Sequence, residues 1–300
     1  MDEIVIKAEG LTKSYGGRRV VDNVNMSVRR GDIYGFIGAN GAGKTTFLRM
    51  VMGLVRPDFG TLELFGERSA ASLVKSRAKI GCIIETPSLI LSMNAYDCLY
   101  TQKLTTGSGA DIGGLLATVG LSGVGSKRIK DFSLGMKQRL AIAQALICEP
   151  EILILDEPTN GMDPAGIVET RNFLKNLAEN GITIVMSSHI LSELEQLATR
   201  YGIIANGKLI EEFTAAEFKK KQGRSVTIQV DDAAKAHRLL MNAFTPNQFR
   251  SFGGGRLLIR DEADFKEVNK LLVSGGVGVE ILSKDTGDLE KYFIETVGGK

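Results

Sequence analysis

Nine consecutive residues, Gly38-Ala39-Asn40-Gly41-Ala42-Gly43-Lys44-Thr45-Thr46, combine glycine, lysine and threonine in the order G-x-x-x-x-G-K-[ST]. That order is a phosphate-binding loop when a strand precedes it and a helix follows. Glycines let successive backbone N–H groups turn inward around phosphate oxygens, and the start of a helix adds the positive end of its dipole. Lys44 has the reach for β- and γ-phosphates, and the Thr45 hydroxyl can hold Mg²⁺. Such a loop by itself fits a kinase, a GTPase or a motor equally well.

A second group of polar residues lies more than a hundred positions later. Asp156-Glu157 follows the apolar run Ile152-Leu153-Ile154-Leu155. A continuous apolar run of this length suits the middle of a parallel sheet, and open α/β sheets place ligands at the carboxyl ends of their strands. Asp156 then suits the metal partner of the phosphate loop, and Glu157 can polarise a water aimed at a γ-phosphate. His189 sits at the end of another strand, Ile182–Met186, after Ser187 and Ser188. Ser133 is placed to cap a helix over Met136–Cys148, where free N–H groups make an anion site.

The elements that must position these groups can be read in outline. Asp32–Ile37 is a short buried strand and Thr46–Met52 an apolar helix, which is the setting the loop requires. Residues 4–8 and Val20–Val28 alternate as antiparallel strands do, with a turn over Leu11–Gly17 that carries Tyr15. A strand over Ile80–Ile84 ends at Glu85-Thr86-Pro87. Residues 88–150 read mostly as helix, with segments Met93–Thr101 and Asp111–Val119. Asn160–Pro164 is a tight turn, and a helix over Ala165–Ala178 follows it.

Composition sets wider bounds. Three hundred residues with 43% hydrophobic content supply one large domain or two moderate ones. A net charge of +2 argues against a dominant nucleic-acid field. No apolar run approaches the roughly 18 residues of a membrane-spanning helix, and Met1–Lys7 reads as an alternating strand rather than a signal peptide. Cys82, Cys98 and Cys148 are far apart, fit no metal spacing, and are expected to be small core hydrophobes.

The order of the phosphate loop, Phe132–Arg139, Leu155-Asp156-Glu157-Pro158-Thr159, Met162-Asp163-Pro164 and Ser188-His189 resembles the ATP-binding subunits of ABC transporters over roughly residues 4–215. The resemblance implies a P-loop NTPase fold of the α/β class: a parallel sheet core, an antiparallel β subdomain, and a helical subdomain at about 86–150. It implies ATP and Mg²⁺ as cofactors, and a head-to-tail homodimer sandwiching two ATP molecules. The ATP contacts would be Tyr15, stacking on adenine, and Gly38, Ala39, Asn40, Gly41, Ala42, Gly43, Lys44, Thr45 and Thr46. Ser133 and Gly135 would reach the partner's ATP, and Asp163 would organise the dimer interface. Thr45, Asp156 and Glu85 would serve Mg²⁺, while Lys44, Glu157 and His189 would carry catalysis.

This sequence departs from the family pattern at two places. The usual Leu-Ser-Gly-Gly-Gln reads Phe132-Ser133-Leu134-Gly135-Met136. Glu85 stands where a glutamine usually links metal and water to membrane subunits, and Ile80–Ser88 resembles the version found in bacteriocin- and peptide-antibiotic exporters, including lantibiotic immunity systems. The implied function is an ATPase subunit that energises export through separate integral membrane permease subunits, with no nucleic-acid partner. It would work peripherally at the cytoplasmic face of a bacterial membrane. Two rivals are a soluble ABC-type ATPase of translation or DNA repair, expected to carry paired ATPase units or a long coiled-coil insertion, and a regulatory ATP-binding module, which Glu157 and His189 weigh against.

The domain boundaries expected are 1–217 for the ATPase, a polar linker at 218–224, and an α+β accessory domain at 225–300. In the last, the order strand Val226–Val230, helix Ala233–Phe244, strands at Phe249–Phe252 and Arg256–Ile259, helix Asp264–Ser274 and strand Val279–Leu282 suggests a ferredoxin-like βαββαβ unit. Gly253-Gly254-Gly255 would join its middle strands, and a final amphipathic helix is expected over Asp288–Thr296.

Overall fold

Gly10, at φ 63°, explains why the first strand is longer than its alternation suggests. In the computed structural model, which describes residues 3–85, 87–221, 224–244, 249–252, 255–259, 265–286 and 289–298, β1 runs from Ile4 to Tyr15. Its pairing with β2 (Arg18–Arg29) shifts register between Ala8 and Leu11. A bulge of this kind breaks the period-2 pattern without ending the strand. The expected turn over Leu11–Gly17 is therefore strand as far as Tyr15. Only Gly16 and Gly17, both at positive φ, separate β1 from β2. With β4 (Phe59–Leu64), these strands form an antiparallel sheet in the order β2-β1-β4.

The chain divides into two units, Met1–Ala215 and Ala216–Lys300. The first also holds a six-stranded sheet in the order β5-β6-β7-β3-β8-β9. Its strands are β3 (Ile33–Ile37), β5 (Ile80–Ile83), β6 (Ile152–Asp156), β7 (Thr183–Ser188), β8 (Arg200–Ala205) and β9 (Lys208–Thr214). All neighbours are parallel except β8 and β9. Every residue of β3, β6 and β7 is buried, as expected for parallel strands covered on both faces. Strand β7 lies between β3 and β6, so its carboxyl end is set between the phosphate loop and Asp156.

Helix α1 (Lys44–Val51) leaves the phosphate loop with Phe47, Leu48, Met50 and Val51 buried. After α2 (Ala70–Arg77) come α3 (Ala95–Thr106), α4 (Ile112–Thr118), a 3-10 turn at Ile129–Asp131 and α5 (Leu134–Leu146). Those after α2 enclose a separate core around Cys98, Leu99, Leu116, Ile129, Phe132 and Leu140. Helix α5 begins two residues earlier than its expected start, directly after its Ser133 cap. Helices α6 (Pro164–Glu179) and α7 (Leu191–Leu197) complete the unit. The cysteines differ from expectation: Cys98 is buried and Cys82 half-buried, but Cys148 is exposed beyond the end of α5.

In the second unit, the segment expected as a polar linker begins instead as α8 (Ala215–Lys221). One apolar side chain among the lysines accounts for it. Phe218 is 2% exposed and packs edge-on against Tyr292, with ring centroids 5.5 Å apart. Next come β10 (Arg224–Val230), α9 (Ala233–Met241), β11 (Phe249–Phe252), β12 (Arg256–Ile259), α10 (Phe265–Ser274), β13 (Val279–Thr286) and α11 (Leu289–Gly298). The sheet order β11-β12-β10-β13 is fully antiparallel and is the ferredoxin-like arrangement of βαββαβ. Ile228, Leu240, Leu257 and Leu272 are fully buried in its core. Met1, Asp2, Thr86, Gln222, Gly223, Gly253, Gly254, Asp264 and Asp288, which figure in the sequence expectations, lie outside the described residues.

Candidate functional site

The phosphate loop joins the carboxyl end of β3 to α1. Gly43, at φ 109°, could not carry a side chain, since a Cβ there would lie 2.5 Å from the Val20 carbonyl oxygen. Gly38 is equally enclosed, its Cβ position 2.6 Å from the Ile204 carbonyl oxygen. These contacts fix the loop tightly against β2 and β8. Lys44 is only 6% exposed. Its ammonium donates to the loop's own carbonyls, at 2.6 Å to Gly38 and 3.3 Å to Ala39.

Asp156 is a buried carboxylate, a placement that is costly unless its oxygens are satisfied. The Thr45 hydroxyl donates to its Oδ2 at 2.7 Å, and the Ser187 hydroxyl donates to Oδ1. The first bond ties α1 to β6, and the second spans the adjacent strands β7 and β6. Ser187 also receives the Glu157 backbone N–H, at 3.0 Å on Oγ and 3.2 Å on the carbonyl oxygen.

This anchoring holds Glu157 at φ 51°. A left-handed non-glycine residue is uncommon and costs on the order of 1 kcal/mol. Its carboxylate is thereby brought to the other two groups. Oε1 stands 3.5 Å from the Lys44 ammonium, buried and without a hydrogen-bond partner among the described residues. Oε2 lies 2.6 Å from His189 Nδ1 and accepts the His189 backbone N–H at 3.3 Å. Lys44, Thr45, Asp156, Glu157 and His189 thus form one connected set at the start of α1 and the carboxyl ends of β6 and β7.

Other expected site residues lie elsewhere. Tyr15 ends β1 with 48% of its surface exposed, and the Lys13 ammonium lies 5.5 Å from its ring centre. Ser133 caps α5, its hydroxyl accepting the Met136 N–H at 3.2 Å, and the space beside Gly135 is open. Asp163 caps α6 by accepting the Gly166 N–H at 3.3 Å, with Pro164 in the first turn. Glu85, at φ 66°, is ion-paired to Arg49 on α1.

Two contributors were missed by sequence reasoning. Ser187 is the hydroxyl hub behind both acids. A small polar residue at a strand end beside the strand carrying Asp156 was its only signal. Arg49, one turn beyond Thr45, falls within the helix that the sequence presents as apolar.

The ABC transporter family matches residues 21–160 of the chain. The chain is 42% identical to the bacitracin transport ATP-binding protein BcrA of Bacillus licheniformis, covering 98% of each. The chain belongs to the ATP-binding subunits of ABC transporters. It is also 45% identical to the lantibiotic transport ATP-binding protein SrtF of Streptococcus pyogenes, over 69% of this chain and 90% of that one. Among solved structures it resembles cbiO1 from Clostridium perfringens, part of the cbiONQ transporter complex, with TM-score 0.66 and 26% identity over 74% of this chain and 92% of that one. It also resembles a dimeric ATP-binding cassette in a post-hydrolysis state bound to ADP and Pi, with TM-score 0.63 and 25% identity over 70% and 98%. As an ABC transporter subunit the chain is an ATP-binding ATPase. Among the described residues no helix is long and apolar enough to cross a membrane.

Proposed function

We propose that this ABC subunit energises export of a peptide antibiotic, working as a head-to-tail pair on separate integral membrane subunits at the cytoplasmic face of the membrane. The observation that carries the catalytic part is the connected set just described: Thr45 on Asp156, and Glu157 between Lys44 and His189. Cargo class rests on the relatives, which are named for bacitracin and lantibiotic transport. A role in translation or DNA repair has no comparable support.

In this reading Lys44 and the loop N–H groups of Gly38–Thr46 hold the β- and γ-phosphates, and Tyr15 stacks on adenine. Glu157 accepts a proton from the attacking water through Oε1, which is buried beside Lys44 and has no hydrogen-bond partner among the described residues. His189 holds Oε2 and so fixes the direction of Oε1. Orientation and charge placement supply the rate gain, as phosphoryl transfer requires.

A hard cation fits the same site. Thr45 Oγ1 and Asp156 Oδ2 present a hydroxyl and a carboxylate oxygen side by side, and Mg²⁺ is commonly held by one or two carboxylates plus substrate phosphates. Bound there, Mg²⁺ would neutralise developing phosphate charge. Glu85 contributes at the edge of this site, its charge offset by Arg49.

Ser133 and Gly135 face the ATP of the second copy, with open space over Gly135 for the phosphate. Asp163 organises the interface. A cleft of about 530 Å³, lined by residues that include Ile84, Pro87, Ser88, Gln102 and Gln144, is the surface for the membrane subunits.

Size-exclusion chromatography with ATP tests the core of this reading. Glu157→Gln is expected to accumulate an ATP-bound dimer and lose phosphate release, whereas Lys44→Ala stays monomeric. Unchanged phosphate release in Glu157→Gln overturns the base assignment. Expression with the cognate membrane subunits, followed by growth in bacitracin or a lantibiotic, tests the cargo class.

A further inference from the structure

Gly207 is bonded both to the phosphate loop and to the strand that leads back to Tyr15. It is the second residue of the turn Asn206-Gly207 between β8 and β9, where Ala205 pairs with Lys208. Both turn residues have positive φ, 50° and 78°, as an Asn-Gly hairpin turn requires. The Gly207 N–H donates to the Ala42 carbonyl oxygen of the phosphate loop at 3.0 Å. The Gly207 carbonyl oxygen accepts the Asp22 N–H of β2 at 2.8 Å.

This junction is closely packed. A Cβ would lie 2.5 Å from the Val20 carbonyl oxygen at Gly43, and 2.6 Å from the same oxygen at Gly207. Next to Val20, the Asp22 carboxylate is paired with Arg19 at 2.8 Å and with Lys208 at 3.4 Å, which fastens β2 to the start of β9. At its other end this part of β2 turns back into β1, with Arg18 opposite Tyr15. The hairpin that carries Tyr15 is therefore anchored to the phosphate loop through Gly207.

We infer that Gly207 is a positioning residue that fixes the distance between the Tyr15 ring and the phosphate loop, and so matches the site to a ligand carrying both an aromatic base and a polyphosphate. The inference rests on the reading proposed above, in which Tyr15 stacks on adenine and the loop holds the β- and γ-phosphates. ATP spans both places, whereas inorganic tripolyphosphate fills the loop alone and gains nothing from the spacing. A side chain at Gly207 must part the turn from Val20, because the obstacle is backbone and no rotamer relieves it.

The test titrates the full chain calorimetrically with Mg²⁺-ATP and with Mg²⁺-tripolyphosphate and reads the ratio of the two affinities. Gly207→Ala is expected to weaken ATP about tenfold, in the range for losing a base–aromatic stack, while tripolyphosphate changes less than about twofold. Tyr15→Ala, which removes the ring itself, is expected to give the same pattern. Where Gly207→Ala does not fold, as judged by melting, Asp22→Ala takes its place. It removes only the side-chain fastening, and ATP is expected to weaken about threefold, the scale of a partly exposed ion pair. A ratio that shifts in Tyr15→Ala but not in the folded Gly207 or Asp22 variant overturns the inference and leaves the stacking reading intact. Equal weakening of both ligands in that variant also overturns it, since the turn would then support the loop rather than its distance from the ring. An unchanged ratio in Tyr15→Ala overturns the stacking reading, and the inference with it.

Discussion

His189 grips Glu157 twice on the same oxygen: Nδ1 lies 2.6 Å from Oε2, and the backbone N–H donates to it at 3.3 Å. The second contact comes from the backbone and survives replacement by alanine, so removing the imidazole should loosen the carboxylate without releasing it. His189→Ala is therefore expected to lower kcat on the order of 10²-fold, in the range for a misdirected general base. ATP affinity should change less than about threefold, because the proposed reading places nucleotide binding on the phosphate loop. Steady-state phosphate release and titration with a fluorescent ATP analogue measure the two effects. A large loss of affinity with unchanged kcat would show that His189 binds nucleotide rather than positions the base.

Asp156 accepts from two hydroxyls and is the buried acid of the set. Asparagine keeps the shape and one carbonyl acceptor but removes the charge. Asp156→Asn is expected to raise the Mg²⁺ concentration for half-maximal hydrolysis by about 10–100-fold, the usual cost of weakening a metal shell. ATP binding in the presence of a chelator should persist. If the Mg²⁺ dependence does not move, Asp156 serves only to fasten α1 to β6.

Much of this site was legible because its parts are short contiguous motifs. Gly38–Thr46 carries its own steric logic, and Ile152–Leu155 states its burial in four apolar letters. What escaped depends on partners distant in the chain. Ser187 matters only because β7 lies beside β6, an adjacency that no local pattern encodes. Arg49 acquires its role from Glu85, thirty-six positions away. In the first sheet, the bulge at Gly10 hid half of β1. In the second unit, composition masked α8, since one phenylalanine among lysines outweighs the polarity around it once it finds Tyr292.

Glu85 and Arg49 provide a test of the altered loop. The Arg49 side chain is 34% exposed and that of Glu85 57%, so the pair's contribution to stability is small. Glu85→Gln and Arg49→Gln should each shift the melting temperature by less than about 3 °C. Glu85→Gln should retain ATP binding and hydrolysis in the isolated subunit while changing the stimulation produced by the membrane subunits. Parallel ATPase assays with and without those subunits read the difference. Complete loss of ATP binding in Glu85→Gln would refute the placement of this residue at the edge of the site.

Glu212 offers a pH test remote from catalysis. Burial pushes its carboxyl above the ordinary 4.5, partly offset by the Tyr34 hydroxyl and the Ser27 N–H, which both donate to Oε1, at 2.9 Å and 3.3 Å. A carboxyl raised in the folded state binds more protons there than in the unfolded chain. Stability therefore falls as pH rises from about 4.5 through the folded value, and the cost persists above it. Glu212→Gln retains an acceptor for both donors and removes the buried charge. It is expected to melt roughly 1–3 °C higher than wild type at pH 7.5, and level with it below pH 4.5. Melting curves for both proteins across this range decide the matter. A variant less stable than wild type at pH 7.5 would mean that the attraction of Arg200, which favours the charged form, outweighs the desolvation of Glu212.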